Sequence, residues 1–243
     1  MLSIIEALQQ LDPSDPAADP LATFLYTPNE HLTSLLAELS SIRASRSRVS
    51  STDSGRVMER IAVNVFQQFA FSSLKSFQSA GPQLDLLVEG DSLKWLTLCS
   101  YCYLSHERRG ILLEAKALAS PIGDGDIARL CALLDSMPNV GLGVFFTLRG
   151  ASGFPSEARP AQRALRDARL RQVLFFAKTS RPIVIFDERD LRQLVVNGAL
   201  PRLINRKVRD ISELTGLPTQ DVSVREILLP THLRDEYERQ GRL

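Results

Sequence analysis

Residues 108–120 read RRGILLEAKALAS, and the middle of that stretch decides how the rest of the chain is read. Ile111, Leu112, Leu113, Ala115, Ala117 and Leu118 form a near-continuous apolar run. Such a run suits a strand covered on both faces, which predicts a core strand over Ile111–Ala117. Two charges, Glu114 and Lys116, interrupt it. Strand side chains alternate, so residues two apart share a side. Glu114 and Lys116 therefore share one face, while Ala115 points the other way and leaves its carbonyl oxygen as a further donor. A charge inside a buried strand is costly unless it is paired or holds a metal.

Working outward, QLDLLV places Asp85 between Leu84 and Leu86 in a second short strand. Gly81-Pro82 and Gly90-Asp91 are turn signals on either side. If that strand lies beside the first, Asp85, Glu114 and Lys116 converge. Glu89 and Asp91 stand as alternatives to Asp85. Upstream, GRVMERIAVNVFQQFAF carries Val57, Met58, Ile61, Ala62, Val65 and Phe69 on one helical face, with Asp53 or Ser54 placed to cap it. KWLTLCSYCYL, between the two acidic strands, reads as an inserted strand or hairpin. Downstream come a helix (DGDIARLCALLDSMPN), a buried strand (VGLGVFFTL), a long helix (PSEARPAQRALRDARLRQVLFFAK), a strand (RPIVIF) and a helix (DERDLRQLVVNG). That order predicts an α/β fold, a mixed sheet flanked by helices.

The division predicted is a helical N-terminal segment and linker over 1–50, a core over 51–199 and a C-terminal extension over 200–243. Leu32, Leu35, Leu36 and Leu39 recur at helical spacing, as do Ile4, Ile5, Leu8 and Leu11; the prolines of DPSDPAADP separate the two runs. The serine- and arginine-rich stretch SIRASRSRVSSTDS, residues 41–54, reads as a linker or exposed loop.

Composition bounds the rest. Hydrophobic residues make up 44% and charged residues 23%, ordinary values for a globular domain. No apolar stretch is long enough to span a membrane, and the N-terminus lacks the basic start of a secretory signal. Three cysteines, an odd number, argue against a disulfide framework and point to a reducing cytoplasmic setting. A net charge of +1 requires any nucleic-acid contact to rest on locally arranged cations.

Two carboxylates and a lysine are the equipment for cutting a phosphodiester bond. Mg²⁺ prefers oxygen ligands, usually one or two carboxylates plus water and phosphate. A bound metal acidifies water and neutralises charge developing on phosphate, and a nearby lysine orients the water or stabilises the pentacovalent phosphate.

The order Asp85, then Glu114-x-Lys116, resembles the PD-(D/E)xK signature of the restriction-endonuclease-like nucleases. The elements after Lys116 resemble the Mrr-like, modification-dependent branch, and the likeness covers roughly 53–197. Leu84 stands where the family pattern has proline, and the Asp85–Glu114 interval is long. The resemblance implies a restriction-endonuclease-like sheet and a Mg²⁺-dependent (or Mn²⁺-dependent) endonuclease acting on DNA, plausible in defence against foreign DNA. It implies metal ligation by Asp85, Glu114 and the Ala115 carbonyl, assistance by Lys116, and a further acid, Glu59, from the preceding helix. It also implies a homodimer, with a partner protein or activator as a further expectation. The alternative is an inactive nuclease-fold module that binds nucleic acid or protein.

Weaker signals complete the reading. Arg159, Arg163 and Arg166 share one sector of the long helix, opposite Ala161, Ala164, Leu165 and Ala168, and suit phosphate contacts. Cys99-x-x-Cys102 lacks the second pair a structural zinc site needs and reads as two half-buried strand cysteines. Gly123–Asp126 reads as a loop and helix start capped by Asp124 or Asp126. The sequence contains no Gly-rich phosphate loop, G-x-S-x-G elbow or H-E-x-x-H motif.

Overall fold

The acidic strand, β3 (Gly110–Lys116), is the middle strand of a five-stranded mixed sheet in the order β1-β2-β3-β4-β5. The computed structural model describes residues 25–26, 30–44, 51–69, 72–78, 84–153, 167–197 and 200–213; the side chains of 43, 51, 52, 76–78, 84, 85, 196 and 197 are outside the description. The strands β1 (Ser73–Gln78) and β2 (Leu84–Glu89) form an antiparallel meander with β3. β4 (Val140–Thr147) and β5 (Ile183–Phe186) then add in parallel. Parallel neighbours need a crossover, supplied by α4 (Asp124–Ser136) between β3 and β4 and by α5 (Ala168–Thr179) between β4 and β5.

Alternation along β3 sorts its side chains between two apolar layers. Ile111 and Leu113 join Leu86, Val88, Leu142, Val144, Phe146, Val184 and Phe186 on one face. Helices α1 (His31–Ala44), α2 (Ser51–Gln67), α3 (Leu93–Tyr101), α6 (Glu188–Asn197) and α7 (Leu200–Ser212) contribute to that cluster. Leu112 points the other way, with Phe145, Ile183 and Ile185, against α4 and α5. The result is an α/β architecture of a mixed sheet between helical layers. The larger cluster draws on Leu32, Leu35, Leu36 and Leu39 before the sheet and on Leu203, Ile204 and Val208 after it.

Aromatic packing ties the larger layer together. Phe146 is fully buried, stacked on Phe186 at 5.4 Å between centroids and edge-on to Phe66 at 6.0 Å. Lys207 of α7 forms a buried ion pair with Asp190 of α6 at 2.9 Å, and its ammonium lies 5.4 Å from the Phe186 ring. Burial raises the Asp190 carboxyl pKa and Lys207 opposes that rise.

Four local expectations change. The long helix read over 155–178 is not continuous: helix α5 starts at Ala168, with Asp167 extended as its N-cap. KWLTLCSYCYL, read as a strand or hairpin, is helix α3. Ser92 caps it by accepting from the Trp95 N–H, and the buried residues Trp95, Leu98, Cys99 and Cys102 fall at helical spacing. Helix α1 continues to Ala44 and α2 begins at Ser51, so helix occupies both ends of the stretch read as a loop, and Asp53 sits in the first turn of α2. At the start of α4 the N-cap is Gly123; Asp126, inside the helix, accepts the Gly123 N–H at 2.9 Å. Among the described residues no helix is long and apolar enough to cross a membrane. The run Ile4–Leu11 lies outside the described residues.

Phe146→Ala is expected to destabilise the protein by about 3–5 kcal/mol, the usual cost of a Phe-sized core cavity. Urea unfolding followed by circular dichroism measures it; a change under about 1 kcal/mol would show that this aromatic cluster does not carry the core.

Candidate active site

Glu114 and Lys116 leave β3 on the face covered by α4, and α4 meets them with two charges of its own. The Arg129 guanidinium Nη1 lies 2.6 Å from Glu114 Oε1. Lys116 Nζ lies 3.6 Å from the same oxygen and 2.5 Å from Asp126 Oδ1. Asp126 is held by the Gly123 N–H on its other oxygen. Two acids and two bases thus form one electroneutral cluster where the end of β3 meets the start of α4.

Burial explains why all four are needed. Glu114 is 1% exposed. An ionised carboxylate at that depth is tolerated only with close cations and hydrogen bonds. Asp126 and Arg129 are three residues apart in α4, while Ile127, Leu130, Cys131 and Leu134 dock that helix on the sheet. Residues three apart share a helix flank, so docking α4 through its apolar stripe brings both charges over the β3 end. The Lys116 ammonium also lies 6.0 Å from the Phe145 ring.

Position 85 is located by the strand register alone. Leu86, Leu87 and Val88 pair with Leu113, Leu112 and Ile111. One step further along the same antiparallel register, position 85 falls opposite position 114. The recorded pairing stops at Leu86–Leu113, one step short of these two acids. The Asp85 side chain lies outside the described residues; its backbone is in β2, opposite Phe77 of β1. Ala115 packs against the other apolar cluster, so its side chain faces away from Glu114 and Lys116.

The other candidates fall elsewhere. Glu59 is on α2, which packs on the opposite face of the sheet from the Glu114 and Lys116 side chains. It is half-buried; burial raises its carboxyl pKa and Arg56 lowers it. Glu89 bonds Lys75 at 3.0 Å on the exposed edge strand, and Asp91 is exposed. Arg159, Arg163 and Arg166 lie outside the described residues. The residues flanking that segment come together beside the cluster. A Cβ on Gly153 would stand 2.4 Å from Asp167 Cβ, and Gly153 has φ +80°, so this close approach requires glycine. Ile122 links the junction to α4: it donates to the Gly150 carbonyl at 3.0 Å, and its own carbonyl accepts from Ser152 at 2.9 Å.

Cys99, Cys102 and Cys131 are free and buried. Burial pushes the Cys99 and Cys131 thiols up to about 12 and raises Cys102 as well, which makes them unreactive near neutrality. Among the described residues no group of three or more His, Cys, Asp or Glu is arranged to hold a metal ion.

Asp126 and Arg129 were not singled out as partners of the β3 charges from the sequence. Their three-residue spacing, in phase with Ile127 and Leu130, was the available signal. No family model, curated protein or solved structure matches the chain significantly.

Asp126→Ala is expected to cost about 1–2 kcal/mol, because it removes both an N-terminal helix hydrogen bond and the partner of Lys116. Arg60→Ala, which breaks an exposed pair with Glu38, is expected to cost less. Thermal melts of the two variants side by side test this order; a reversed order would mean that the cluster does not bear on stability.

Proposed function

We propose that the chain is a Mg²⁺-dependent endonuclease of the restriction-endonuclease-like type, acting on DNA. The observation that supports the reading is the pair Glu114 and Lys116 on one face of the middle strand, together with a β2–β3 register that, continued one step beyond Leu86–Leu113, would set position 85 opposite position 114. A buried carboxylate at a sheet position facing a second acidic position is a donor arrangement suited to a hard divalent cation. The residues on hand fit that ion in chemistry, since all the donors are oxygens. Arg129 lies against one Glu114 oxygen, Oε1, and an ion there would share the carboxylate with it.

Asp85, Glu114 and the Ala115 carbonyl would hold the ion. When bound, it supplies an acidified water and charge neutralisation at the phosphate. Lys116 presents its ammonium beside Glu114, where it would steady the attacking water or the charge on the phosphate. Asp126 holds Lys116 at 2.5 Å and so acts as a positioning residue. Arg159, Arg163 and Arg166 would supply phosphate contacts. A homodimer cutting both strands and a triggering partner remain part of this proposal through the family resemblance alone.

A second reading has its own support. Glu114 is closed by Arg129, and Lys116 by Asp126, as in a purely structural ion network. On that reading the chain is a nuclease-fold module that binds nucleic acid or protein without cutting.

Plasmid cleavage with Mg²⁺ or Mn²⁺ separates the two. The proposal predicts metal-dependent nicking that falls by roughly a hundredfold or more in Lys116→Ala or Glu114→Ala, with the circular dichroism spectrum of Lys116→Ala unchanged. Full activity in either variant would sink the site assignment. A salt-sensitive gel shift without cleavage would favour the binding module.

A further inference from the structure

We propose that the outer face of α7, together with Tyr103 at the end of α3, is a docking surface for single-stranded DNA, with the arginines of α7 on the phosphates and the tyrosine stacked on an unpaired base. The inference goes beyond the cleavage reading, since it needs neither a metal nor Glu114. At about 100° per residue, Arg202, Arg206 and Arg209 fall within a sector of about 60° on α7. The opposite side carries Leu203, Ile204, Val208 and Ile211, all buried. Docking α7 through that apolar side turns the three arginines outward. Arg206 pairs with Asp210 at 3.2 Å, but the arginine side chain is 57% exposed and the aspartate 12%. The cation faces water with its acid beneath it, and a pair of this kind is weak enough for a phosphate to share. Three arginines spread over about 10 Å of a convex helix suit an extended polyanion rather than one pocketed anion.

Helix α3 brings an aromatic ring to the same surface. Asn205, on the flank of the arginine sector, donates from Nδ2 to the Tyr101 carbonyl at 2.5 Å, which fixes the end of α3 beside α7. Two residues further on, Tyr103 has φ +59° and is 61% exposed. Backbone bonds alone close this turn: Leu104 donates to the Cys99 carbonyl at 2.8 Å and Tyr103 to the Ser100 carbonyl at 3.1 Å. Such a closure favours glycine at its left-handed position, and a bulky residue there is strained. The exposed Tyr103 ring adds little to the core, so packing does not explain it. Cations that track a backbone beside an aromatic platform are the chemistry of single-strand binding, because a base offers its face only when unpaired. An anionic membrane is the poorer fit, since α7 exposes no apolar residue to insert.

The test is fluorescence anisotropy of a labelled oligothymidylate with the whole chain in EDTA, where metal-dependent cleavage cannot intervene. Tyr103→Gly is expected to weaken binding at least about fivefold while the melting temperature stays level or rises. Replacing Arg202, Arg206 and Arg209 together by Gln is expected to lower the slope of log affinity against log salt by about two, at roughly 0.7 for each phosphate contact on a single strand. Arg60→Gln, which removes an exposed cation from α2, is the charge control and is expected to bind as wild type does. A duplex of the same length is expected to bind more weakly than the single strand. Absence of binding, tighter binding of the duplex, or affinity that either α7 or Tyr103 substitution leaves unchanged overturns the proposal. So does a Tyr103→Gly variant that loses stability along with binding, which would give the ring a structural role. Plasmid cleavage tests the nuclease reading separately, and its failure would leave this surface standing.

Discussion

A carboxylate that is 1% exposed in the middle strand of a sheet is the constraint around which this molecule is arranged. Glu114 cannot be ionised there without cations, and neutralising it by protonation would leave Arg129 and Lys116 facing each other across one oxygen. The effective penalty for burying an ion is several kcal/mol even after relaxation, and removing one partner of a buried pair typically costs 3–5 kcal/mol. The chain meets this cost with two cations and fixes one of them with a second acid. Apolar residues of similar size would pack the same space without that penalty. Keeping the charges therefore points to a use beyond stability.

The fold delivers the charges by two devices. The antiparallel pairing of β2 and β3 determines which acid faces which, because a one-residue slip in a strand exchanges its faces. The crossover through α4 folds back over β3, so residues that follow Lys116 closely in sequence return to cover it. The start of α4 is fastened by Asp126 to Gly123 and by Ile122 to the loop after β4. The β4–α5 connection opens and closes at the same place, through Gly153 and Asp167. On the proposed reading, Glu114 and Lys116 are thus presented by a rigid sheet, the arrangement that holds a reactive geometry best.

Much of this was legible in the sequence for physical reasons. β3, β4 and β5 are short apolar runs covered on both sides, and such runs announce themselves. The share of a face by Glu114 and Lys116 follows from alternation alone, and the ion pair from Lys116 to Glu114 agrees with it. β1 was harder: Ser73 and Lys75 are exposed, and an edge strand with little apolar content carries a weak pattern. α3 was misread because Trp95, Thr97, Cys99 and Tyr101 favour strands by propensity, whereas the buried set follows the helical period. Asp126 and Arg129 were hidden for another reason. Each looks like an ordinary helix surface residue until the docking of α4 shows which β3 charge it meets, Lys116 for Asp126 and Glu114 for Arg129. Glu59 was named from its place on the preceding helix, and α2 packs its apolar face in the other layer.

The most direct test of the central claim is the anomalous difference map of a crystal grown with Mn²⁺ and an uncut DNA duplex. The account predicts one peak within about 2.0–2.3 Å of oxygens from Asp85 and Glu114, with Lys116 still on Asp126. An ordered complex with DNA bound and no manganese at these two acids would contradict it.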